Sequence, residues 1–419
     1  MNKRVIYDVH VSLPSIGISK AGELAVADEN GVTQQCAFRY SPDYQAADGA
    51  IPLDPVALPL ASGQSSFEFN CSGGRPALLD DYLPDDWGRK VLTQLALIRD
   101  QRRLSSRSVI DMLAMLGGST IGALSIVPKS AEPSFALGSD ISRLHEAESA
   151  AQEVDSIGHD TQSIDNFALL HLAHHGSGVG GARPKALIHD GEGYYLAKFN
   201  RLDQANPDPY NNARVELACL FMAQEAGIDC LGGRVEAGIN GREVLLLDRF
   251  DVNEDQSRNH LITLNGLLKM QSNQADLGET FSYDHIYRTL QQYSQDIEKD
   301  LIQLLLRMLF NRAINNTDDH ERNFSLINAG SGYALSPAYD MVPSLTRGAY
   351  HAAAFGYLPY PPLPDEAVKS AKIFGLNQSE ILGCAERVKH AVGSWAVHAD
   401  KAGVSGQDAD KVRRAFPSL

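Results

Sequence analysis

Apolar and polar positions alternate in short runs from Met1 to about Phe69, as in VIYDVHVSL and QQCAFRY, and clusters of Gly, Asp and Pro separate the runs. A period of two marks strands with one covered face, so a small β-rich module is predicted at the N-terminus. Helical spacing follows in DDWGRKVLTQLALI and RSVIDMLAML, the second ending at Gly117-Gly118, where a helix stops. From Ser130 to Ile164 the text is polar, acidic, poor in aromatics and without a clear period. That stretch reads as a linker or surface insertion.

The helix-like IDNFALLHLAHH comes next, and after it PKALIHD and GYYLAKF read as two strands joined by a turn at Asp190 to Gly193. ARVELACLFMAQEAGI has the apolar spacing of a helix, and GREVLLLDRFDV reads as another strand. From about Leu261 onward helical signals dominate. In QDIEKDLIQLLLRMLFNRAIN, Ile297, Leu301, Leu304, Leu305, Met308 and Leu309 share a wide apolar face, which predicts a deeply packed helix. No internal repeat or low-complexity tract interrupts the chain.

A chain of 419 residues exceeds one ordinary core, so two or three domains are expected. The 37 Lys and Arg against 52 Asp and Glu give a net charge of -15, which disfavours a large nucleic-acid footprint on this chain alone. DNA contact would need a basic partner. Cys36, Cys71, Cys219, Cys230 and Cys384 are scattered without a C-x-x-C pair, which points to neither a disulfide framework nor a structural zinc site and fits a reducing cytoplasm. MNKRVIYDVHVSLP lacks the apolar core of a signal peptide, and no apolar run approaches the length of a bilayer span. A soluble, cytoplasmic protein without membrane contact is expected.

Candidate chemistry begins at Gly176-Ser-Gly178-Val-Gly180-Gly181, which satisfies G-x-G-x-x-G. A dinucleotide fingerprint needs a strand before the glycines and a helix after, whereas here a helix precedes and a strand pair follows. Glycines above a β-hairpin suit a loop whose backbone N–H groups, with Ala182, approach phosphates, though a plain flexible turn has the same composition. Lys198 lies in the apolar strand YYLAKF and must reach solvent or find an anion. Glu216, between Val215 and Leu217 on the next predicted helix, could form with it the ion pair that positions nucleotide phosphates in kinases. Read singly, each is more often an ordinary surface charge.

The densest polar stretch is NNTDDHERNFSLINAGSGYALSPAYDMVPS, residues 315–344. Asp318 and Asn323 stand in the spacing D-x-x-x-x-N that a phosphoryl-transfer loop requires, the aspartate accepting a hydroxyl proton and the asparagine oxygen holding magnesium. Asp340, arriving after the strand-like GYALSPAY, would supply the carboxylate that bridges metal to phosphates. Taken singly, these aspartates could merely cap turns. Their order after the glycines, the strand Lys and the helix Glu is what turn-capping does not account for. His320, and likewise His174 and His175, show no metal-binding spacing, so His320 is read as loop scaffolding.

At GGARPKA, YLAKF, VELACLFMAQEAGI, LLLDRFD, TDDHERNFSL and LSPAYDMVP, in that order, the sequence resembles the HipA family of bacterial serine/threonine kinases, toxins of toxin–antitoxin modules. DYLPDDWGR resembles the signature that ends the family's N-terminal subdomain, so the resemblance covers nearly the whole chain. It implies an α+β, two-lobed protein-kinase-like fold: a β-rich N-terminal subdomain over 1–129, a linker or insertion over 130–164, an N-lobe over 165–255 and a largely helical C-lobe over 256–419. It implies Lys198 on the phosphates of ATP, Asp318 as catalytic base with His320 beside it, Asn323 and Asp340 on magnesium, and a hinge that sets Asp248 and Phe250 against adenine. Implied partners are a protein substrate such as an aminoacyl-tRNA synthetase and a small helix-turn-helix antitoxin, with DNA reached through that antitoxin. The family's autophosphorylated loop serine aligns with Gly178 here, with Ser177 adjacent. The expectation is therefore an ATP- and magnesium-dependent kinase acting on Ser or Thr. The rivals are a small-molecule phosphotransferase of the aminoglycoside kind and a silent nucleotide-binding or antitoxin-docking module.

Overall fold

A computed structural model describes residues 2–60, 66–71, 77–116, 120–149, 185–200, 209–272, 281–346 and 350–418. Strands β1 (Lys3–Leu13), β2 (Gly17–Glu29), β3 (Val32–Tyr40), β4 (Phe67–Asn70) and β5 (Leu124–Pro128) form an antiparallel sheet ordered β4-β3-β2-β1-β5. Tyr7, Val9, Val11 and Leu13 of β1 are buried, in step with the period of two that predicts the strand. Helices Asp86–Asp100 and Val109–Met115 follow, and each starts on a side-chain cap. Asp85 accepts from Gly88 N–H at 2.7 Å, and Ser108 accepts from Asp111 N–H at 2.9 Å.

A second sheet contains β6 (Ser139–Asp140), β7 (Lys185–His189), β8 (Tyr194–Phe199), β9 (Gly233–Ala237) and β10 (Glu243–Asp248), in the order β6-β7-β8-β10-β9. One face puts Ala186, Ile188, Tyr195, Ala197, Phe199, Val244 and Leu246 into the core of the N-terminal module. The opposite face sends Leu245 and Leu247 into a separate core with helix Asn212–Glu225 and the helices beyond it. Burial on both faces is why VLLL reads as a continuous apolar run rather than an alternating one.

The expected linker or insertion over 130–164 is corrected for the part described. Ser139 and Asp140 pair in parallel with β7, and Leu144 and Ala147 are buried in the N-terminal core. The Glu148 carboxylate accepts from Ile239 N–H at 2.6 Å and pairs with Arg242 at 3.0 Å. A two-residue strand is too short to display a period, so its sequence reads as surface. The helical reading after Leu261 likewise misses β11 (His260–Thr263) and β12 (Ser325–Asn328), which form a small antiparallel sheet with β13 (Tyr333–Leu335) in the strand-like GYALSPAY. The predicted deep helix spans Ile297–Ala313, with Leu304, Leu305, Leu306, Met308, Leu309 and Phe310 all buried. No described helix is long and apolar enough to cross a membrane.

Buried charge ties the N-terminal module to the rest. Asp251 accepts from Arg249 through both oxygens, at 2.9 and 2.7 Å, from Arg258 at 3.4 Å and from Gly122 N–H at 2.7 Å. The two guanidinium groups also donate to the carbonyls of Thr120, Phe135, Ala136 and Leu137. At a second contact Tyr333 Oη donates to the Pro52 carbonyl at 2.7 Å, and His260 Nε2 lies 2.8 Å from the Leu53 carbonyl. Beside it Asp54 is buried, with Oδ1 accepting from Val56 and Ala57 N–H. Its Oδ2 has no hydrogen-bond partner among the described residues. Burial lifts this carboxyl to about 6 although the two N–H groups oppose it.

Asp251→Ala leaves two buried guanidinium groups without their carboxylate and is expected to cost about 3–5 kcal/mol in denaturant unfolding. An effect below about 1 kcal/mol would show that the carbonyls suffice. Because the folded carboxyl of Asp54 binds its proton more tightly than the unfolded one, its unfavourable contribution grows as pH rises from about 4 to 6 and is complete above that. Asp54→Asn should therefore be more favourable to stability at pH 8 than at pH 4 by about 2 kcal/mol. Equal effects at both pH values would refute this.

Candidate active site

Side chains on β8 alternate, so Tyr195, Ala197 and Phe199 face the N-terminal core and Lys198 faces the other way. Its register partners, Leu245 on β10 and Lys185 on β7, share that face. Helix Asn212–Glu225 packs there and presents Glu216, whose Oε1 lies 2.6 Å from Lys198 Nζ. The same ammonium binds Asp340 Oδ1. Lys198 and Glu216 side chains are 12% and 4% exposed, while Asp340 is 38% exposed and opens toward solvent. Burial works against the Lys198 charge, but the Asp340 and Glu216 carboxylates outweigh it and hold the ammonium well above the usual lysine range. For Asp340, burial would lift the carboxyl, yet Lys198, Lys185 and His320 together hold it down at about 2.

Asp340 adopts a positive φ of 55°, uncommon outside glycine and best tolerated by Asp and Asn. What holds it there is Asn316, buried at the end of helix Ile297–Ala313. Asn316 Nδ2 donates to the Asp340 carbonyl at 3.3 Å and to Asn311 Oδ1 at 3.0 Å, while its Oδ1 accepts from Asp318 N–H at 3.3 Å. One amide side chain thus joins the backbones of both aspartates. The network continues from Asn311 Nδ2 to Tyr283 Oη at 3.0 Å and from that hydroxyl to Asp319 Oδ2 at 2.8 Å.

The adjacent aspartates have opposite environments. Asp319 is buried and accepts from Tyr283, from His351 Nδ1 at 3.0 Å and from Ala353 N–H at 3.1 Å, which makes it the anchor of the 351–353 segment. Asp318 has 85% of its side chain exposed, as a group that must meet an incoming hydroxyl would. Asn323 closes the one-turn helix Glu321–Asn323 and donates from Nδ2 to the Asp318 carbonyl at 2.8 Å, which leaves its Oδ1 as a donor atom for a cation. His320 Nε2 is 3.9 Å from Asp318 Oδ1. At the end of β10 Asp248 is exposed, and the Phe250 ring lies 20° from parallel with Tyr339, centroids 6.2 Å apart, next to Asp340.

Lys198, Glu216 and Asp340 are brought into contact, Asp318 and Asn323 share one loop, and Asn316 joins that loop to Asp340. Asn323 and Asp340 line the same pocket. Gly178, Gly180, Gly181 and Ala182 lie outside the described residues, as do Ser177, His174 and His175. Sequence reasoning overlooked three residues. Asn316 has the signal of an Asx turn two residues before Asp318. Asp319 is indistinguishable from Asp318 by type. Lys185 sits in a strand as apolar as that of Lys198, and burial pulls it down to about 8 despite the carboxylates of Asp85, Asp340 and Glu216.

Among the described residues no three His, Cys, Asp or Glu side chains gather into a metal site. One carboxylate with one amide oxygen, partly open to water, fits a hard cation such as magnesium that keeps several waters. The arrangement offers a fixed ammonium against an ionised carboxylate, with the exposed Asp318 carboxylate on the loop that Asn316 joins to Asp340.

Residues 177–396 match the HipA-like C-terminal domain, and residues 15–127 match the HipA N-terminal domain. Over 282 residues the chain is 24% identical to Toxin YjjJ of Escherichia coli (strain K12), a match covering 64% of this chain and 60% of that protein. The chain thus spans about 60% of the length of this curated relative. HipA of Shewanella oneidensis MR-1, solved with HipB and its operator DNA, superposes with a TM-score of 0.67 at 17% identity, over 98% of this chain and 94% of that one. A weaker likeness, TM-score 0.43 and 13% identity over 57% of this chain and 90% of that one, is to the Helicobacter pylori proinflammatory kinase CtkA. The α+β architecture is that of HipA, and with over half of its length matched by the C-terminal domain, the chain belongs to the HipA family.

Proposed function

We propose that the protein is an ATP- and magnesium-dependent kinase that phosphorylates a serine or threonine of a host protein in the cytoplasm. An aminoacyl-tRNA synthetase is the class of substrate that family membership suggests. The observation that carries this reading is the meeting of Lys198 with both Glu216 and Asp340. A strand lysine, a helix glutamate and a late aspartate, far apart in sequence, converge beside an exposed D-x-x-x-x-N loop, as phosphoryl transfer requires.

In this reading Glu216 holds the Lys198 ammonium against the triphosphate of ATP. Asp318 accepts the proton of the acceptor hydroxyl and aligns its oxygen with the terminal phosphate. The Asn323 amide oxygen and the Asp340 carboxylate would hold magnesium, which when bound neutralises phosphate charge. Asp248 and Phe250 would border the adenine, and Gly178, Gly180, Gly181 and Ala182 the phosphates. His320 supports the loop. The partner proposed is a small helix-turn-helix antitoxin. Support comes from the Shewanella HipA solved with HipB and operator DNA, and from a net charge of -15 that leaves DNA contact to a basic partner.

Asp318→Ala is expected to lower phosphate transfer by about 10²–10⁴-fold while the ATP dissociation constant, measured by calorimetry, changes little. Transfer at the wild-type rate would refute the assignment. Lys198→Met removes the cation and leaves Glu216 buried without it, so ATP affinity and thermal stability should fall together, stability by about 3–5 kcal/mol. A variant that binds ATP as tightly as wild type would exclude Lys198 from the phosphate site. Mass spectrometry of a host lysate incubated with ATP and the protein should reveal a phosphorylated protein. A phosphorylated metabolite instead would identify a small-molecule kinase.

A further inference from the structure

The loop that carries Asp318 and Asn323 is held at its first half by Asn316 and the buried Asp319, and across it by Asn323 Nδ2 on the Asp318 carbonyl. Its regular part is the three-residue 3₁₀ turn Glu321–Asn323, closed by Asn323 N–H donating to the His320 carbonyl at 2.9 Å. Such turns have poor hydrogen-bond geometry and hold their shape through outside contacts. Arg322, the residue before Asn323, makes two of these contacts. Its carbonyl accepts from Tyr339 Oη at 3.0 Å, on the residue that precedes Asp340. Its guanidinium donates from Nη2 to Asp80 Oδ2 at 3.1 Å.

Asp80 belongs to the N-terminal module, on the short helix Ala77–Tyr82. Its side chain is 6% exposed, whereas that of Arg322 is 45% exposed, so the carboxylate is the fixed member of the pair. Asp80 Oδ2 also accepts from Asn265 Nδ2 at 2.8 Å, on helix Leu264–Ser272 of the C-lobe. The neighbouring Asp81 carboxylate accepts from Thr263 N–H and Oγ1, both at 2.7 Å, at the start of that same helix. Consecutive carboxylates of the N-terminal module therefore clasp the C-lobe, and one of them reaches the loop of the proposed catalytic base.

We infer that Asp80 is a positioning residue: through Arg322 it sets the 318–323 loop, which makes the N-terminal module a working part of the phosphoryl-transfer site. The inference rests on the kinase reading above for its consequence in catalysis, but its structural half stands without it. A contact serving only to glue modules together would leave the loop and the turnover number unchanged when weakened gently. A positioning contact alters both before the fold is lost.

The test uses the full chain as wild type, Asp80→Ala, Arg322→Gln and the double variant. Arg322→Gln changes a half-exposed side chain and keeps the protein folded if Asp80→Ala does not. Hydrogen exchange of the 320–324 amides is expected to speed up about tenfold in either single variant and no further in the double, with amides of the Ile297–Ala313 helix unaffected. In phosphate transfer, kcat should fall about tenfold with KM for ATP nearly unchanged, and Asp80→Glu should restore part of the loss. Unchanged exchange in Arg322→Gln, additive losses in the double variant, or a wild-type kcat in Arg322→Gln would each overturn the inference. If the wild type transfers no phosphate while the exchange results hold, the kinase reading falls and the coupling of Asp80 to the loop survives.

Discussion

Lys198 Nζ is where three separate parts of the chain meet: the strand that carries it, the helix that presents Glu216, and the loop that delivers Asp340. Removing the Lys198 ammonium and the Glu216 carboxylate from water costs several kcal/mol per ion, and the attraction among the three groups offsets that cost only while their geometry is kept. Much of the surrounding structure can be understood as keeping it. The β8 register fixes the lysine, the packed helix fixes the glutamate, and Asn316 fixes an aspartate whose backbone sits at a positive φ. A strained conformation persists only where the surroundings over-determine it, and such positions tend to occur at sites of function.

The same logic extends outward from the cleft. The sheet bearing Lys198 is covered on one face by the N-terminal module and on the other by helices, so neither face can shift without disturbing a core. Asp251, held between two arginines and bonded to Gly122, ties the end of β10 to the N-terminal module, and Asp80 ties that module to the loop of Asp318. Paired aspartates divide the labour twice. Asp319 anchors while Asp318 stays open, and Asp81 clasps a helix start while Asp80 reaches Arg322.

Several particulars were legible without coordinates. YYLAKF and VLLL announce strands because burial dictates their apolar content, and QLLLRMLF announces a helix because its apolar face recurs at 3.6 residues. Lys198 and Glu216 could be picked out because charges beside apolar runs are costly and need a reason, and Asp318, Asn323 and Asp340 by their spacing and order. The strands at 139–140, 260–263 and 325–328 stayed hidden because two to four residues hold too few periods to differ from helix or loop.

By itself the sequence determined which residue types could do this chemistry and their order, since composition and periodicity follow from burial. It also specified the long elements, whose patterns repeat often enough to be read. Tertiary structure alone decided which of two adjacent aspartates is buried, that Lys198 meets Asp340, that Asp251 joins Arg249 and Arg258 to Gly122, and that Asp80 reaches Arg322. These are contacts between residues remote in the chain, and their partners are chosen by how sheets and helices pack, information that no local window contains.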